Sequence, residues 1–145
     1  MMTKLLFSIT LVLATLLSAC GGGSDNTPAG PTQLQITDNL IGTGATAVAG
    51  NTLTVNYTGW LYDAAAAQNH GKQFDTSTGR APFSFKLGAG QVIAGWDQGM
   101  VGMKVGGKRT LIIPSALGYG SSSVGGGLIP PNSALVFEVE LLSVQ

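Results

Sequence analysis

The alternation of apolar and polar residues along the chain predicts a set of β-strands. The clearest alternating runs lie at residues 52–58, 83–87, 108–113 and 135–141, with a weaker run at 34–40. In the run at 135–141, Phe137, Val139 and Leu141 alternate with Glu138 and Glu140. Each run therefore has one apolar face, which is typical of an antiparallel sheet that is covered on one side.

A different period marks one segment between these runs. Trp96, Met100 and Met103 are spaced i, i+4, i+7, which places them on one face of a helix. Gly99 and Gly102 lie inside this helix and weaken it, so we expect it to be stable only when it packs against the sheet. The fold class that these elements predict is α+β, with one antiparallel sheet, one short covering helix and long loops rich in Gly and Ser.

The first residues of the chain have a composition of their own. Lys4 precedes an apolar run from Leu5 to Leu17, which is 13 residues long. A helix that crosses a bilayer needs about 20 apolar residues, so this run is too short for a permanent transmembrane helix. We interpret residues 1–19 as a secretory signal peptide.

The sequence LSAC at residues 17–20 resembles the lipobox of bacterial lipoproteins. This resemblance implies that Cys20 receives a lipid and becomes the new N-terminus; an ordinary export signal is the alternative. Cys20 is the only cysteine in the chain, so we expect no intramolecular disulfide. We expect residues 20–32 to form a flexible tether and residues 33–145 to form one domain. The expected location is the outer membrane, facing the periplasm or the cell surface, with a lipid anchor in the membrane.

Charge and composition exclude several classes of function. The 145 residues include seven Lys and Arg and seven Asp and Glu, so the net charge is zero and we expect no nucleic-acid partner. No zinc or calcium spacing occurs among the scattered acidic residues, so we predict no metal site and no cofactor. The single histidine, His70, lies in the Ala-rich segment Asp63–Gly71, which we interpret as a loop insertion or bulge. We therefore expect a solvated His70 rather than a catalytic one.

Five separated segments resemble the FKBP-type peptidyl-prolyl cis-trans isomerases in their order and spacing. They are VNYTGWLYD (55–63), GKQFDTS (71–77), PFSFKLGAGQVIAGWDQGMVGMKVGGKR (82–109), IPSALGYG (113–120) and LIPPNSALVFEVELL (128–142). The resemblance extends from about Leu34 to Val144, which is nearly the whole predicted domain. It implies an antiparallel half-barrel of five to six strands wrapped over one short helix, and it implies isomerase activity on X-Pro bonds.

The resemblance also implies an apolar pocket for a prolyl ring. Trp96 would form the floor of this pocket, and Asp75 would lie beside Tyr57. The backbone N–H of Ile93 and the hydroxyl of Tyr119 would donate hydrogen bonds to ligand carbonyls. The catalytic positions of the family fall on Tyr57, Asp75, Trp96, Tyr119 and Phe137, and further substrate-binding positions fall on Phe74, Phe83, Val92, Ile93 and Ile129, with Ile129 closing one edge.

This reaction needs neither a nucleophile nor a metal, because it breaks no bond. Rotation about a peptide bond has a barrier of about 18–20 kcal/mol, and X-Pro bonds populate both the cis and the trans form. An apolar pocket can bind the twisted amide better than the planar one. We therefore expect a monomeric enzyme that acts on proline-containing polypeptides during the folding of exported proteins. The resemblance also implies that it binds tacrolimus-type macrolides.

Two other functions are compatible with the same sequence. One is a binding module or holdase chaperone that grips proline-containing segments without useful turnover. The other is a structural surface lipoprotein that has the same fold.

Overall fold

The computed structural model describes residues 30–145, so the predicted signal peptide, Cys20 and most of the predicted tether lie outside the described residues. The described part contains six strands and one α-helix: β1 Gln35–Leu40, β2 Thr52–Tyr62, β3 His70–Thr76, β4 Phe83–Lys86, α1 Ala94–Gly99, β5 Lys108–Ile113 and β6 Leu135–Val144. Within residues 30–145, no helix is long and apolar enough to cross a membrane. The open antiparallel sheet with one short helix confirms the predicted α+β architecture.

Strand β2 connects the two halves of the sheet. The strand order is β1-β5-β6-β2-β3, every neighbouring pair is antiparallel, and β4 also pairs with β2. One edge of β2 pairs with β6 from Leu53 to Leu61. The other edge is shared, because β4 pairs with residues 52–55 and β3 pairs with residues 58–62. Tyr57 lies between these two paired segments, at the point where the sheet divides.

Helix α1 packs closely against strand β5, and two glycines make this possible. A Cβ atom on Gly95 would lie 2.5 to 2.9 Å from side-chain atoms of Ile113. A Cβ atom on Gly99 would lie 2.7 Å from the side chain of Leu111. Both distances are shorter than real Cβ contacts, so larger residues would push the helix away from the sheet. The core between helix and sheet is apolar and includes Leu53, Val55, Met100, Leu111, Ile113, Leu135 and Leu141.

The helix is shorter than the apolar stripe predicts. Trp96, Met100 and Met103 are all buried, as the stripe requires, but α1 ends at Gly99 and Met103 lies beyond it. The reason is Gly102, whose φ of 81° is left-handed and stops the helical path before Met103. The apolar stripe therefore predicted the three buried residues correctly, but it predicted a longer helix than the structure has.

A buried arginine joins the end of this helix to the edge of the sheet. The Arg109 side chain is 8% exposed and donates to both carboxylate oxygens of Asp38 in β1, at 2.7 and 3.1 Å. It also donates to the carbonyl oxygens of Gly99 and Val101, at 2.8 and 3.1 Å. These two carbonyls lie at and just beyond the end of α1, where carbonyls lack helical partners. The charge is thus fully paired, and it fixes α1 relative to β1 and β5.

The prediction of a solvated His70 is wrong. His70 is the first residue of β3, and its side chain is only 17% exposed. The imidazole stacks on the indole of Trp60, with ring centroids 3.9 Å apart and an interplanar angle of 3°. Its Nε2 atom lies 3.7 Å from Oε1 of Glu138. The Ala-rich segment is therefore shorter than it looks in the sequence, because its last two residues belong to the sheet.

Candidate active site

One cavity of about 170 Å³ collects residues from β2, β3, β4, β6, α1 and two loops. It is lined by Tyr57, Phe74, Asp75, Phe83, Gln91, Val92, Ile93, Trp96, Tyr119 and Phe137. The structure therefore brings together nine of the ten residues that the sequence singled out, and the exception is Ile129. Pockets for drug-sized ligands are typically about 300–1,000 Å³, so this cavity suits a single small ring better than a large ligand.

Trp96 is the central side chain of this cavity. It is 4% exposed and lies in the hydrophobic core as well as against the cavity. Tyr57 and Phe137 each meet it edge to face, with ring centroids 5.2 Å away and interplanar angles of 82° and 85°. Edge-to-face contacts place the positive edge of one ring on the negative face of the next and favour a fixed arrangement. These contacts fix the orientation of the Tyr57 and Phe137 rings relative to Trp96.

A glycine in β2 makes room for two of the wall rings. Phe74 and Phe137 meet edge to face at 5.5 Å. A Cβ atom on Gly59 would lie 2.7 Å from both rings. A side chain at this position would displace the aromatic wall, so Gly59 is part of the site although it contributes no side chain. A glycine inside a strand is the sequence signal for such a close approach.

A hydrogen-bonded polar group forms one side of the cavity. The hydroxyl of Tyr57 donates to Oδ2 of Asp75 at 2.6 Å. Arg80 donates to Oδ1 of the same carboxylate at 2.5 Å and also to the carbonyl oxygen of Thr76. The backbone N–H of Thr76 is a further donor to Oδ1, at 2.9 Å. Asp75 is thereby fixed by three donors, one of which carries a positive charge.

The surroundings keep both partners of this hydrogen bond in fixed ionisation states. Burial, followed by the hydrogen bond and the negative charge of Asp75, raises the pKa of Tyr57 from 10.0 to about 12. Burial alone would raise the pKa of Asp75, but the hydrogen bonds from Tyr57, Arg80 and Thr76 outweigh it and hold that pKa below 3.8. At neutral pH, Tyr57 is therefore a neutral donor and Asp75 an ionised acceptor.

Two exposed aromatic side chains form the rim. Phe83 is 39% exposed and Tyr119 is 37% exposed. Burial, and then the charge of Asp75, raises the pKa of Tyr119 above 10.0, so its hydroxyl keeps its proton at neutral pH. The predicted donor Ile93 also lies against the cavity, and no acceptor within residues 30–145 takes its backbone N–H.

The structure differs from the sequence reading at the edges of the site. Ile129 is 4% exposed and belongs to the hydrophobic core, where its backbone pairs with Val124 in both directions. This pairing closes the loop between Val124 and Ile129, and the Ile129 side chain does not line the cavity. Sequence reasoning missed Arg80 and Gln91, which are polar residues in loops without a periodic pattern. The proximity of Arg80 to Asp75, five positions earlier, was the one available signal.

A second cleft, of about 190 Å³, has a different character. It is lined by Asn39, Asn56, Tyr57, Thr58, Thr78, Lys108, Arg109, Glu138, Val139 and Glu140. Most of these residues are polar or charged, and Arg109 already pairs with Asp38. Within residues 30–145, no group of three or more His, Cys, Asp or Glu side chains could hold a metal ion. The aromatic cavity is therefore the better candidate for the active site.

Comparison with known proteins identifies the family of this chain. Residues 44–142 match the family model of the FKBP-type peptidyl-prolyl cis-trans isomerase. An FK506-binding protein of Neisseria meningitidis serogroup B is 52% identical over 112 residues, which are 77% of this chain and 95% of the relative. An FK506-binding protein of Streptomyces anulatus is 49% identical over 115 residues, covering 79% and 88% of the two chains.

Two solved structures are also similar. FkpA from Escherichia coli has a TM-score of 0.66 and 44% identity, over 79% of this chain and 49% of that one. AtFKBP13 has a TM-score of 0.66 and 41% identity, over 80% of this chain and 96% of that one. Since the family model covers more than half of the chain and relatives about 50% identical cover most of its domain, this chain belongs to the FKBP-type peptidyl-prolyl cis-trans isomerases and is an enzyme of that activity.

Proposed function

We propose that this isomerase accelerates X-Pro bond rotation in exported polypeptides while they fold, and that it binds the twisted amide in the aromatic cavity. The observation that carries the proposal is the combination in one cavity of edge-to-face aromatic rings around Trp96 and an ionised Asp75 bound by Tyr57. Uncatalysed isomerisation takes about 10–100 s, which is slow enough to delay folding after export.

Each part of the cavity has a role in this proposal. The prolyl ring lies on Trp96, and the apolar walls exclude water from the amide. A twisted amide has lost much of its resonance and therefore much of its polarity, so the dry cavity stabilises it relative to the planar form. The Ile93 N–H and the Tyr119 hydroxyl are donors for ligand carbonyls at the rim. The Asp75–Arg80 pair holds the Tyr57 hydroxyl in place at the side of the ring.

The same cavity is our proposed site for macrolide inhibitors. The relatives from Neisseria meningitidis and Streptomyces anulatus are named FK506-binding proteins. The aromatic cavity would take only a ring-sized part of such a ligand, and the remainder would lie on the rim at Phe83 and Tyr119.

The decisive experiment measures the isomerisation rate of X-Pro peptides by NMR exchange, with and without FK506. We expect the full chain to accelerate the exchange and FK506 to suppress it. The double variant Asp75→Ala plus Phe137→Ala should lose this activity while remaining folded. The control, Asp63→Ala plus Leu141→Ala, also removes a carboxylate and a buried core side chain, both outside the cavity, and should retain the activity.

The outcome separates the proposal from its main alternative. A folded protein that binds proline peptides in the cavity but does not accelerate exchange would favour a binding module or holdase. Loss of activity in the control variant as well would show that the assay reports stability and not the cavity.

Export and lipid anchoring are part of the same proposal, supported by the apolar run at 5–17 and the LSAC sequence at 17–20. A bacterial host that expresses the full chain should incorporate labelled palmitate into the wild type and not into Cys20→Ser. The wild type should sediment with membranes and the variant should not. Equal sedimentation of both proteins would contradict the anchor, and the isomerase assay would be unaffected by that result.

A further inference from the structure

We propose that Asp97 is a positioning residue for the isomerase site, because its carboxylate fixes the loop that carries one wall of the cavity. This loop comprises Gly88–Ile93 and is called the 88–93 loop below. It connects the end of β4 to the start of α1. Its last three residues, Gln91, Val92 and Ile93, line the cavity, and Ile93 also offers its backbone N–H.

The carboxylate of Asp97 reaches across the loop with both of its oxygens. Oδ1 accepts the backbone N–H of Gly88 at 2.8 Å, and Oδ2 accepts the backbone N–H of Gly90 at 3.0 Å. Asp97 itself follows Trp96 directly in α1. The two hydrogen bonds therefore connect the residue next to the cavity floor with the loop that forms the wall.

Other contacts hold the side of the loop that follows β4. The side-chain oxygen Oε1 of Gln91 accepts the backbone N–H of Lys86 at 2.9 Å, and the N–H of Leu87 donates to the carbonyl oxygen of Asn51 at 2.8 Å. The Gln91 contact fixes the loop to β4, and the Leu87 contact fixes the residue before the loop to Asn51, which precedes β2. Among the side chains of residues 30–145, Asp97 alone accepts a hydrogen bond from Gly88 or Gly90.

The backbone of the loop explains why a carboxylate is needed. Gly88 and Gly90 have left-handed φ values of 77° and 69°, so this turn depends on two flexible residues. Glycine loses more conformational freedom on ordering than any other residue, and the charge-assisted hydrogen bonds offset that loss. An asparagine at position 97 could accept only one of the two N–H groups, and its own amide would face the other.

We infer that loss of these two hydrogen bonds lets the wall at Gln91 and Val92 move relative to Trp96. Ile93 itself stays tied to α1, because its carbonyl oxygen accepts the N–H of Trp96 at 2.9 Å. Small displacements of groups that meet the transition state reduce rates strongly, by up to about a hundredfold for a shift of 1 Å. Asp97 does not line the cavity, so we attribute its effect on the reaction to the loop that it holds. The proposal rests on the isomerase activity of the chain and does not depend on export or lipid anchoring.

The test compares three variants of the full chain with the wild type in the peptide exchange assay, at a temperature where all four are folded. Asp97→Asn should reduce kcat/KM by about tenfold. Asp97→Glu should recover most of that loss, because it retains two acceptor oxygens. The matched control is Asp63→Asn, since Asp63 also accepts a backbone N–H, that of Ala65 at 2.9 Å, in a loop away from the cavity. Its rate should equal that of the wild type.

Amide hydrogen exchange distinguishes a local change in the loop from a general loss of stability. In the wild type, the N–H groups of Gly88 and Gly90 should exchange more slowly than other amides in loops. In Asp97→Asn these two amides should exchange faster, while the amides of the core strands stay protected. A wild type without this protection would overturn the proposal, and that measurement needs no variant to fold. Two results with Asp97→Asn would also overturn the proposal. One is a wild-type kcat/KM although the two amides exchange freely, and the other is a reduced kcat/KM although the two amides remain protected. An inactive wild type would instead count against the isomerase function.

Discussion

At the residue scale, the hydrogen bond between Tyr57 and Asp75 keeps one proton in place over a wide range of pH. The pKa of Tyr57 is raised to about 12 and that of Asp75 is held below 3.8. Neither group changes its charge near neutrality, and the reaction itself transfers no proton. We therefore expect kcat/KM to be constant from about pH 5 to about pH 9, measured by NMR exchange. An inflection near pH 7 would contradict a site built on this pair.

The same two shifts determine how the pair affects stability. Asp75 has a lowered pKa in the folded state, so its contribution is present above pH 3.8 and is lost as the pH falls through the lowered value. Tyr57 has a raised pKa, so its contribution is present below pH 10.0 and is lost as the pH rises to about 12. Because the Asp75 side chain is 41% exposed, solvent screening keeps its contribution small.

Removing either donor should change the ionisation of Asp75 measurably. Tyr57→Phe deletes the hydroxyl and Arg80→Ala deletes the cation, so each should raise the pKa of Asp75 toward its ordinary value. Carbon-detected NMR titration of the Asp75 carboxyl measures this shift directly. The control is the wild type titrated under the same conditions. An unchanged pKa in Arg80→Ala would mean that the cation does not act on this carboxylate in solution.

Residue chemistry was predictable from sequence where a side chain has a role of its own. The ten site positions could be carried over from the resemblance, and all of them line the cavity except Ile129, which lies in the core. Gly59 and Arg80 were not predicted. The first acts by leaving space for two rings, and the second lies in an irregular loop, so neither contributes to a hydrophobic pattern.

At the element scale, the small size of Gly95 and Gly99 matters more than their poor helix propensity. Alanine favours a helix over glycine by about 1 kcal/mol, yet a Cβ at Gly95 would lie 2.5 Å from Ile113. Overpacking of this kind typically costs about 1–3 kcal/mol. We therefore expect Gly95→Ala to lower the free energy of unfolding, measured by urea titration, in spite of its better propensity.

A double-variant cycle tests the cause of that loss. If the overlap with Ile113 is responsible, the combination of Gly95→Ala with Ile113→Ala should be less destabilised than the sum of the two single variants. Additive effects would show that the added methyl group acts elsewhere.

Elements were predictable wherever burial imposes a period. The four strong alternating runs became β2, β4, β5 and β6, since each has one face on the core. Strand β1 was weaker in the sequence because it is an edge strand whose residues are all exposed. Strand β3 was not among the predicted runs, because none of its residues is fully buried and no alternation marks it. Its first residue, His70, stacks on Trp60.

At the scale of the whole molecule, the pairing of the last strand with the second one holds the domain together. Strand β6 lies between β5 and β2 and contributes Leu135, Phe137, Val139 and Leu141 to the core. A chain that ends at residue 134 loses these side chains and separates β2 from β5. We expect it to be unfolded by circular dichroism, whereas the full chain under the same conditions is folded. A cooperative unfolding transition in the shortened chain would contradict this.

The central place of β6 has a consequence for the timing of synthesis. Because β6 lies between β5 and β2 but follows β1–β5 in the sequence, the native domain cannot form before β6 has been synthesised. Long-range strand pairing is also slow compared with local helix formation. The strand order that builds the pocket therefore also sets the time at which the domain can close, which comes after β6 has been made.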